Sequence, residues 1–229
     1  MRALSATELL KVWESGRSQV PLQRALTMLA AACPEASPDS LASLTIGQRD
    51  QRLLELREVM FGSEVTGVTD CPECRENIEL NFKCLDIHPA TDPEPPTELT
   101  VQSNGREVRF RLPTSADLLV ARSAEELLER CLLSAGDSRT EDIVPAVSEK
   151  MLSTDPMAEI RLALNCPSCQ HKWDAPFDIV TFLWREISAA ARRLLREVHT
   201  LASAYGWTEP EILALSPARR RVYLELVNG

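Results

Sequence analysis

Two Cys-Pro-x-Cys corners, Cys71-Pro72-Glu73-Cys74 and Cys166-Pro167-Ser168-Cys169, constrain this chain more than any other feature of it. Each is entered by a strand-like run, "EVTGVTD" and "IRLALN", and left by another, "IELNF" and "WDAPF". A Cys-x-x-Cys turn between antiparallel strands presents two thiolates on one side, which is half of a tetrahedral Zn²⁺ site, and two such corners complete it. The gap between the pairs is far wider than the tens of residues usual in a zinc ribbon. The spacing therefore implies one site built from two halves, with an insertion between them. Two other readings of the thiols remain: degenerate knuckles that keep only the turn, and a redox pair. A redox Cys-x-x-Cys should open a helix after a βαβ strand, whereas both corners run into alternating patterns. The other three of the seven cysteines, Cys33, Cys84 and Cys131, sit in apolar contexts and read as small buried hydrophobes.

Helical signals dominate the two ends. Ser5 and Glu8 form a capping-box pair ahead of "LLKVW", and Pro21 opens a second helix. Thr45 with Gln48 starts "IGQRDQRLLELREVMFG", which Gly62 closes. Between the corners, "LTVQSNGREVRF" predicts a hairpin with Asn104-Gly105 in a type I′ turn, setting Leu99 and Val101 opposite Val108 and Phe110. Helices return at "TSADLLVA" and "SAEELLERCLL", while "HPATDPEPPTE" reads as a linker and "AGDSRTEDIVP" as a surface loop. After the second corner, Asp178 caps a helix from Ile179 to about Tyr205, with Leu183, Ile187, Ala191, Leu194, Val198 and Leu201 as its stripe. Thr208 with Glu211, and Ser216-Pro217, open two shorter helices. The expected fold is α+β: helical N- and C-terminal segments around a small antiparallel β core resembling a zinc ribbon split by a hairpin and helices. The expected divisions are 1–62, a split β region over 63–178 with a helical insertion at 114–156, and 179–229.

A chain of 229 residues can bury a real core. Its formal charge of −9 argues against coating nucleic acid or an anionic membrane as its main role. No apolar run of membrane-spanning length occurs, and "MRALSATELLKVW" lacks the features of a signal peptide, so the expected compartment is the cytoplasm. A closed Cys₄ site leaves no position for a reactive water, and no nucleophile elbow, P-loop, dinucleotide glycine pattern or H-E-x-x-H occurs. His171, two residues past Cys169, reads as a polar surface residue beside a complete thiol set. His88 and His199 have no companion acid or nucleophile nearby. The expectation is a non-enzyme with one structural zinc on Cys71, Cys74, Cys166 and Cys169.

Longer stretches carry a family resemblance. The combination of "LTIGQRDQRLLELREVMFG", "CPEC", "FRLPTSADLL", "CPSC" with "FDIVTFLW", and "EVHTLASAYGWTEPEILALSPARRRVYLELV" resembles the T4-type bacteriophage baseplate protein family. Relatives of that family are found among the components of bacterial contractile injection systems. Its most specific parts here are Gly47-Gln48-Arg49-Asp50 and the C-terminal ending. The resemblance implies a structural or assembly component of a contractile tail baseplate, with other baseplate or tail proteins as partners and no catalytic residues to carry over. It also implies a cytoplasmic stage during assembly and a place in a tail-like particle. The ending offers candidate partner contacts in Trp207, Arg219, Arg220, Arg221 and Tyr223, since aromatic residues and arginine are enriched at interface hot spots. The plainer alternative is an aromatic staple beside ordinary solvated charge. The competing functional class is a zinc-ribbon nucleic-acid-binding regulator, which should show a basic ribbon tip or helix. Around the corners stand Glu73, Arg75, Glu76, Lys172 and Asp174, an even mixture, and arginines cluster only at Arg192-Arg193-Arg196 and Arg219-Arg220-Arg221.

Overall fold

The computed structural model of the chain describes residues 1–87, 95–103, 106–134 and 140–228. In chain order they form α1 (Ala6–Gly16), α2 (Pro21–Ala32), α3 (Pro38–Ala42), α4 (Ile46–Phe61), β1 (Glu64–Asp70), β2 (Asn77–Lys83) and α5 (Cys84–Ile87). Next come β3 (Leu99–Ser103), β4 (Arg106–Phe110), α6 (Ser115–Val120), α7 (Ala124–Cys131), β5 (Leu132–Ser134), α8 (Thr140–Thr154) and a 3₁₀ turn at Pro156–Ala158. The chain ends with β6 (Arg161–Asn165), β7 (Lys172–Pro176), α9 (Ile179–Tyr205), α10 (Glu209–Ala214) and α11 (Pro217–Asn228). Helices with small antiparallel sheets make the fold α+β. Its contacts separate two units, Met1–Pro34 with Val180–Gly229, and Glu35–Ile179.

The first unit is built from helices. Ser5 and Glu8 close the expected capping box on α1, and Arg2 braces the Glu8 carboxylate at 2.8 Å. The apolar stripe of α9 is buried from Leu183 through Ile187, Ala191, Leu194 and Val198 to Leu201. The end of α1 packs on that helix without a side chain of its own. A methyl group on Gly16 would overlap the indole of Trp184. The Arg24 guanidinium lies 4.7 Å from the same ring, and its Nε donates to the Gly16 carbonyl at 2.8 Å. Gly206, at φ +69, turns the chain out of α9 in the left-handed conformation that favours glycine. Beyond it Val198, Leu201 and Ile212 form a small core, with Trp207 and Tyr223 packed against it.

In the second unit, Thr45 starts α4. Its Oγ accepts from the Gln48 N–H at 3.2 Å, and the Gln48 side chain accepts from the Thr45 N–H at 3.1 Å. Gly47 donates its N–H to buried Asp155 at 2.9 Å, so a carboxylate 108 residues downstream caps the helix where its free N–H groups point. A Cβ at Gly47 would overlap that carboxylate. Leu53, Leu54 and Leu56 are buried on α4, and Gly62, at φ +92, leads out of it.

Among the described residues the strands form three separate sheets, β1–β2, β3–β4–β5 and β6–β7, so each thiol corner has its own two-stranded hairpin. In the middle sheet Leu99 pairs with Phe110 and Val101 with Val108, the register expected from the sequence. The Asn104-Gly105 turn lies outside the described residues. Leu99, Val108, Phe110, Leu112, Leu128, Ile143 and Val147 make the core there. One expectation is corrected at this point: the stretch read as a loop up to Pro145 is helical from Thr140. Proline removes only one helix donor and sits near the start of α8, while Ile143 and Val147, four apart, gain full burial.

The segment "FRLPTSADLL" folds around one acid. Asp117 accepts two hydrogen bonds from Arg111, at 2.6 and 2.8 Å. It also accepts from the Thr114 hydroxyl at 2.7 Å and the Thr114 N–H at 3.0 Å. The Arg111 guanidinium, outweighing burial and helped by Thr114, holds the carboxyl well below the usual carboxylate range. A depressed folded-state value contributes stability that is present above the unfolded value of about 3.9 and is lost as pH falls below it. Asp117→Asn is therefore expected to lower stability to denaturant by about 2–4 kcal/mol at pH 7. The difference from the native chain should begin to shrink below about pH 4, remain substantial at pH 3, and vanish only as the pH falls through the depressed folded-state value. Equal stability of the two chains at pH 7 would show that the ion pair has no net effect.

Candidate functional site

The two corners are built alike, bond for bond. Strand pairing ends at Asp70 opposite Asn77 in the first hairpin, and at Asn165 opposite Lys172 in the second. The first cysteine of each corner then donates its N–H across the turn, Cys71 to the Glu76 carbonyl at 2.9 Å and Cys166 to the His171 carbonyl at 2.8 Å. Its own carbonyl accepts from the residue after the second cysteine, Arg75 at 2.9 Å and Gln170 at 3.0 Å. Arg75 and Gln170 have φ of 62° and 63°, and they are the non-glycine residues with positive φ among those described. This left-handed step turns backbone N–H groups toward sulfur. Cys71 receives those of Cys74 and Glu73, Cys166 those of Cys169 and Ser168, Cys74 that of Glu76, and Cys169 that of His171.

The structure brings all four thiols together. Their sulfur atoms lie within 4.8 Å of one another, although the cross pairs are 98 and 92 residues apart in sequence. Cys71 Sγ is 3.7 Å from Cys169 Sγ, and Cys74 Sγ is 3.6 Å from Cys166 Sγ. These distances far exceed a disulfide bond of about 2.05 Å. They match the edge of a tetrahedron whose metal–sulfur bonds are about 2.3 Å, which is about 3.8 Å. Cys71 and Cys166 are buried, while Cys74 and Cys169 face solvent. The amides are already arranged for thiolates. Those of Cys169 and Ser168, with thiol neighbours, bring Cys166 down to about 7 against the pull of burial. Burial pushes Cys71 up, but the amides of Cys74 and Glu73 and the neighbouring thiols outweigh it and lower that thiol too. Cys74 is opposed by the amide of Glu76 but is pushed up to about 12 by burial and by the three other sulfurs. The amide of His171 and the Cys74 thiol oppose a rise at Cys169, but burial with Cys166 and Cys71 pushes that thiol up. Four thiols crowded this closely cannot all ionise alone, and a cation at their centre removes the conflict. An all-sulfur tetrahedral set suits soft metal ions and offers nothing to Ca²⁺ or Mg²⁺. The side chain of His171 stands apart from the set and stacks on Trp173 with ring centroids 5.9 Å apart.

The candidate partner residues also fall close together, in the first unit. Trp207 stacks on Tyr205 at 4.7 Å and meets Tyr223 edge-on at 4.8 Å. Arg220 is buried, donating to Glu197 at 3.1 Å and to the Leu215 carbonyl at 2.8 Å. Arg219 and Arg221 are exposed on α11. The three consecutive arginines thus separate into one internal brace and two surface cations, which a run of identical residues does not reveal until the helix is phased.

Among the described residues no helix is long and apolar enough to cross a membrane. Among the described residues, Cys71, Cys74, Cys166 and Cys169 thus form a four-sulfur cluster that could hold a metal ion. The chain belongs to the T4 bacteriophage base plate protein family, whose match covers residues 5–144, more than half of its length. That match includes Gly47-Gln48-Arg49-Asp50 and the first thiol corner, and ends before the second corner and the aromatic C-terminal stretch. No curated protein and no solved structure shows significant similarity to the chain.

The left-handed step in each corner is occupied by a residue with a Cβ, at a cost of about 1–2 kcal/mol that glycine avoids. Arg75→Gly and Gln170→Gly are each expected to raise stability by about 0.5–1 kcal/mol, after the extra freedom that glycine gives the unfolded chain. Thermal or denaturant unfolding measures this, and destabilisation by both changes would show that the side chains themselves hold the corners.

Proposed function

We propose that Cys71, Cys74, Cys166 and Cys169 hold one structural Zn²⁺ ion in a non-enzymatic baseplate component of a contractile phage-tail-like particle. The observation that carries the metal assignment is the pair of cross-corner S···S distances, 3.6 and 3.7 Å, on two hairpins with identical turn bonding. A lone two-stranded hairpin is marginal in water. Closing a loop of this length costs about 4 kcal/mol in chain entropy. Structural zinc in small peptides contributes about 10–16 kcal/mol at pH 7, enough to offset that cost and fix both hairpins. When bound, the ion neutralises the thiolates and orients the corners. The chain's part is to supply four sulfurs and six backbone N–H donors in place. The family membership supports a role in the baseplate, with other baseplate or tail proteins as partners.

The C-terminal end supplies the docking surface in this reading: Arg219 and Arg221 make the charged contact, Trp207 and Tyr223 form a rigid aromatic base, and Arg220 braces α11 from within.

Metal analysis of the purified chain is expected to give one zinc per chain, and Cys166→Ser should lower zinc content and thermal stability together. Absence of zinc, or a Cys166→Ser chain that keeps both, would sink the metal assignment. The double change Arg219→Glu with Arg221→Glu should abolish co-purification with baseplate proteins while the chain stays folded and metal-loaded. Unchanged co-purification places the docking surface elsewhere. Arg220 is left intact in that test because its loss would strand Glu197 and the Leu215 carbonyl.

A further inference from the structure

We propose that the thiol cluster is also a modification site, at which a peroxide oxidant replaces the metal by two disulfides that run across the corners, Cys71 to Cys169 and Cys74 to Cys166. The inference rests on the zinc reading given above for the ion that is displaced, and it adds what the same sulfurs do when an oxidant reaches them. Each of the two cross-corner contacts joins one exposed sulfur to one buried sulfur. Cys74 and Cys169 face solvent between exposed neighbours, Glu73 and Arg75 in one corner, Ser168 and Gln170 in the other. Cys71 and Cys166 are only 1 % and 0 % exposed. An oxidant therefore meets Cys74 and Cys169 first, and each already has a second sulfur in contact to resolve it.

The pairing follows from the distances. Cys71 Sγ is 3.7 Å from Cys169 Sγ, and Cys74 Sγ is 3.6 Å from Cys166 Sγ. Closing either contact to a disulfide of about 2.05 Å moves each sulfur by less than about 1 Å. Within a corner, the first sulfur accepts from the backbone N–H of the second cysteine, and drawing that pair into a bond would disturb the turn itself. The cysteines outside the cluster, Cys33, Cys84 and Cys131, are all buried. The electrons balance with two molecules of hydrogen peroxide. The Cys74 thiolate attacks the first, breaking its O–O bond, and becomes a sulfenic acid as hydroxide leaves. The Cys166 thiolate attacks that sulfur, forms the S–S bond and expels a second hydroxide. Cys169 and Cys71 repeat both steps with the second peroxide. Four thiolates have then given up four electrons, and Zn²⁺ leaves because its ligands are gone. The new bonds join residues 98 and 92 apart in sequence, so the two hairpins stay tied without the ion.

The full, zinc-loaded chain is treated with rising hydrogen peroxide. Released zinc is followed with a chromogenic chelator, remaining thiols are alkylated, and disulfides are assigned by peptide mass spectrometry. Zinc release is expected in step with the appearance of the Cys71–Cys169 and Cys74–Cys166 bonds, while Cys33, Cys84 and Cys131 stay reduced. The oxidised, zinc-free chain should melt above the zinc-free chain kept in reductant, and added reductant should remove the difference. Cys74→Ser checks the pairing again: the cross-corner route gives Cys71–Cys169 and leaves Cys166 free, whereas pairing within corners gives Cys166–Cys169 and leaves Cys71 free. Bonds within the corners, sulfinic or sulfonic acids in place of disulfides, or an oxidised chain that melts no higher than the reduced zinc-free one overturn the proposal. A chain that carries no zinc yet forms the cross-corner bonds removes the metal reading and keeps the disulfide site. A zinc-loaded chain whose bonds form within the corners does the reverse.

Discussion

Two short hairpins that make no shared sheet among the described residues meet at four sulfur atoms. Apart from Val65, which is buried on the first hairpin, the two hairpins have little apolar cover. On the inward face of the first, Ile78, Leu80 and Phe82 are only half-buried, and so are Leu162, Leu164 and Trp173 on the second. Beyond the thiols, an edge-on contact of Phe82 with Phe177 at 5.5 Å joins the two ends. The thiol cluster therefore substitutes for a hydrophobic core. It needs no apolar area, only a turn geometry that aims sulfurs and amides at one point. That geometry is demanding enough to hold Arg75 and Gln170 in a conformation that L-residues avoid.

Elsewhere the chain relies on a few buried polar contacts, one of which spans 108 residues. Asp155 caps α4 through Gly47, Asp117 gathers Arg111 and Thr114, and Arg220 reaches Glu197. Arg49 and Asp50, next to Gly47, are both largely buried and meet at 2.7 Å. Burial pushes the Asp50 carboxyl up while Arg49 works against it. The stretches that resemble the baseplate family are thus largely the ones that join helices to each other. Gly47 leaves room for a carboxylate, and Thr114 to Asp117 start a helix while anchoring a strand. Their contacts tie one element of the second unit to the next.

Much of this was legible before any coordinate. Capping boxes at Ser5–Glu8 and Thr45–Gln48 are local, so four residues suffice to read them, and the stripe of α9 repeats often enough to phase a whole helix. The thiol cluster was legible because the chemistry of the corners is incomplete in either half alone. What escaped was non-local or masked by residue type. No pattern near Gly47 announces a cap from Asp155. Pro145 reads as a breaker because the burial that repays its missing donor comes from a sheet in another segment. The left-handed steps escaped because glycine, the usual sign of them, is absent from both. The partition of Arg219, Arg220 and Arg221 into surface and interior follows from helix phase and from Glu197, and neither is visible in a run of three like residues.

The long separation between the corners sets an order of events at the ribosome. At synthesis rates of about 5–20 residues per second, the second corner emerges roughly 5–20 seconds after the first. For that interval Cys71 and Cys74 lack the two sulfurs of the other corner, and any partner for their thiols has to come from small thiols or another polypeptide. Native closure then happens late, after the middle sheet and its helices have left the ribosome. A chain halted by a translational pause before Cys166 would expose an unfinished sulfur pair to every metal and oxidant in the cell, which makes the timing of translation itself part of how this protein reaches its fold.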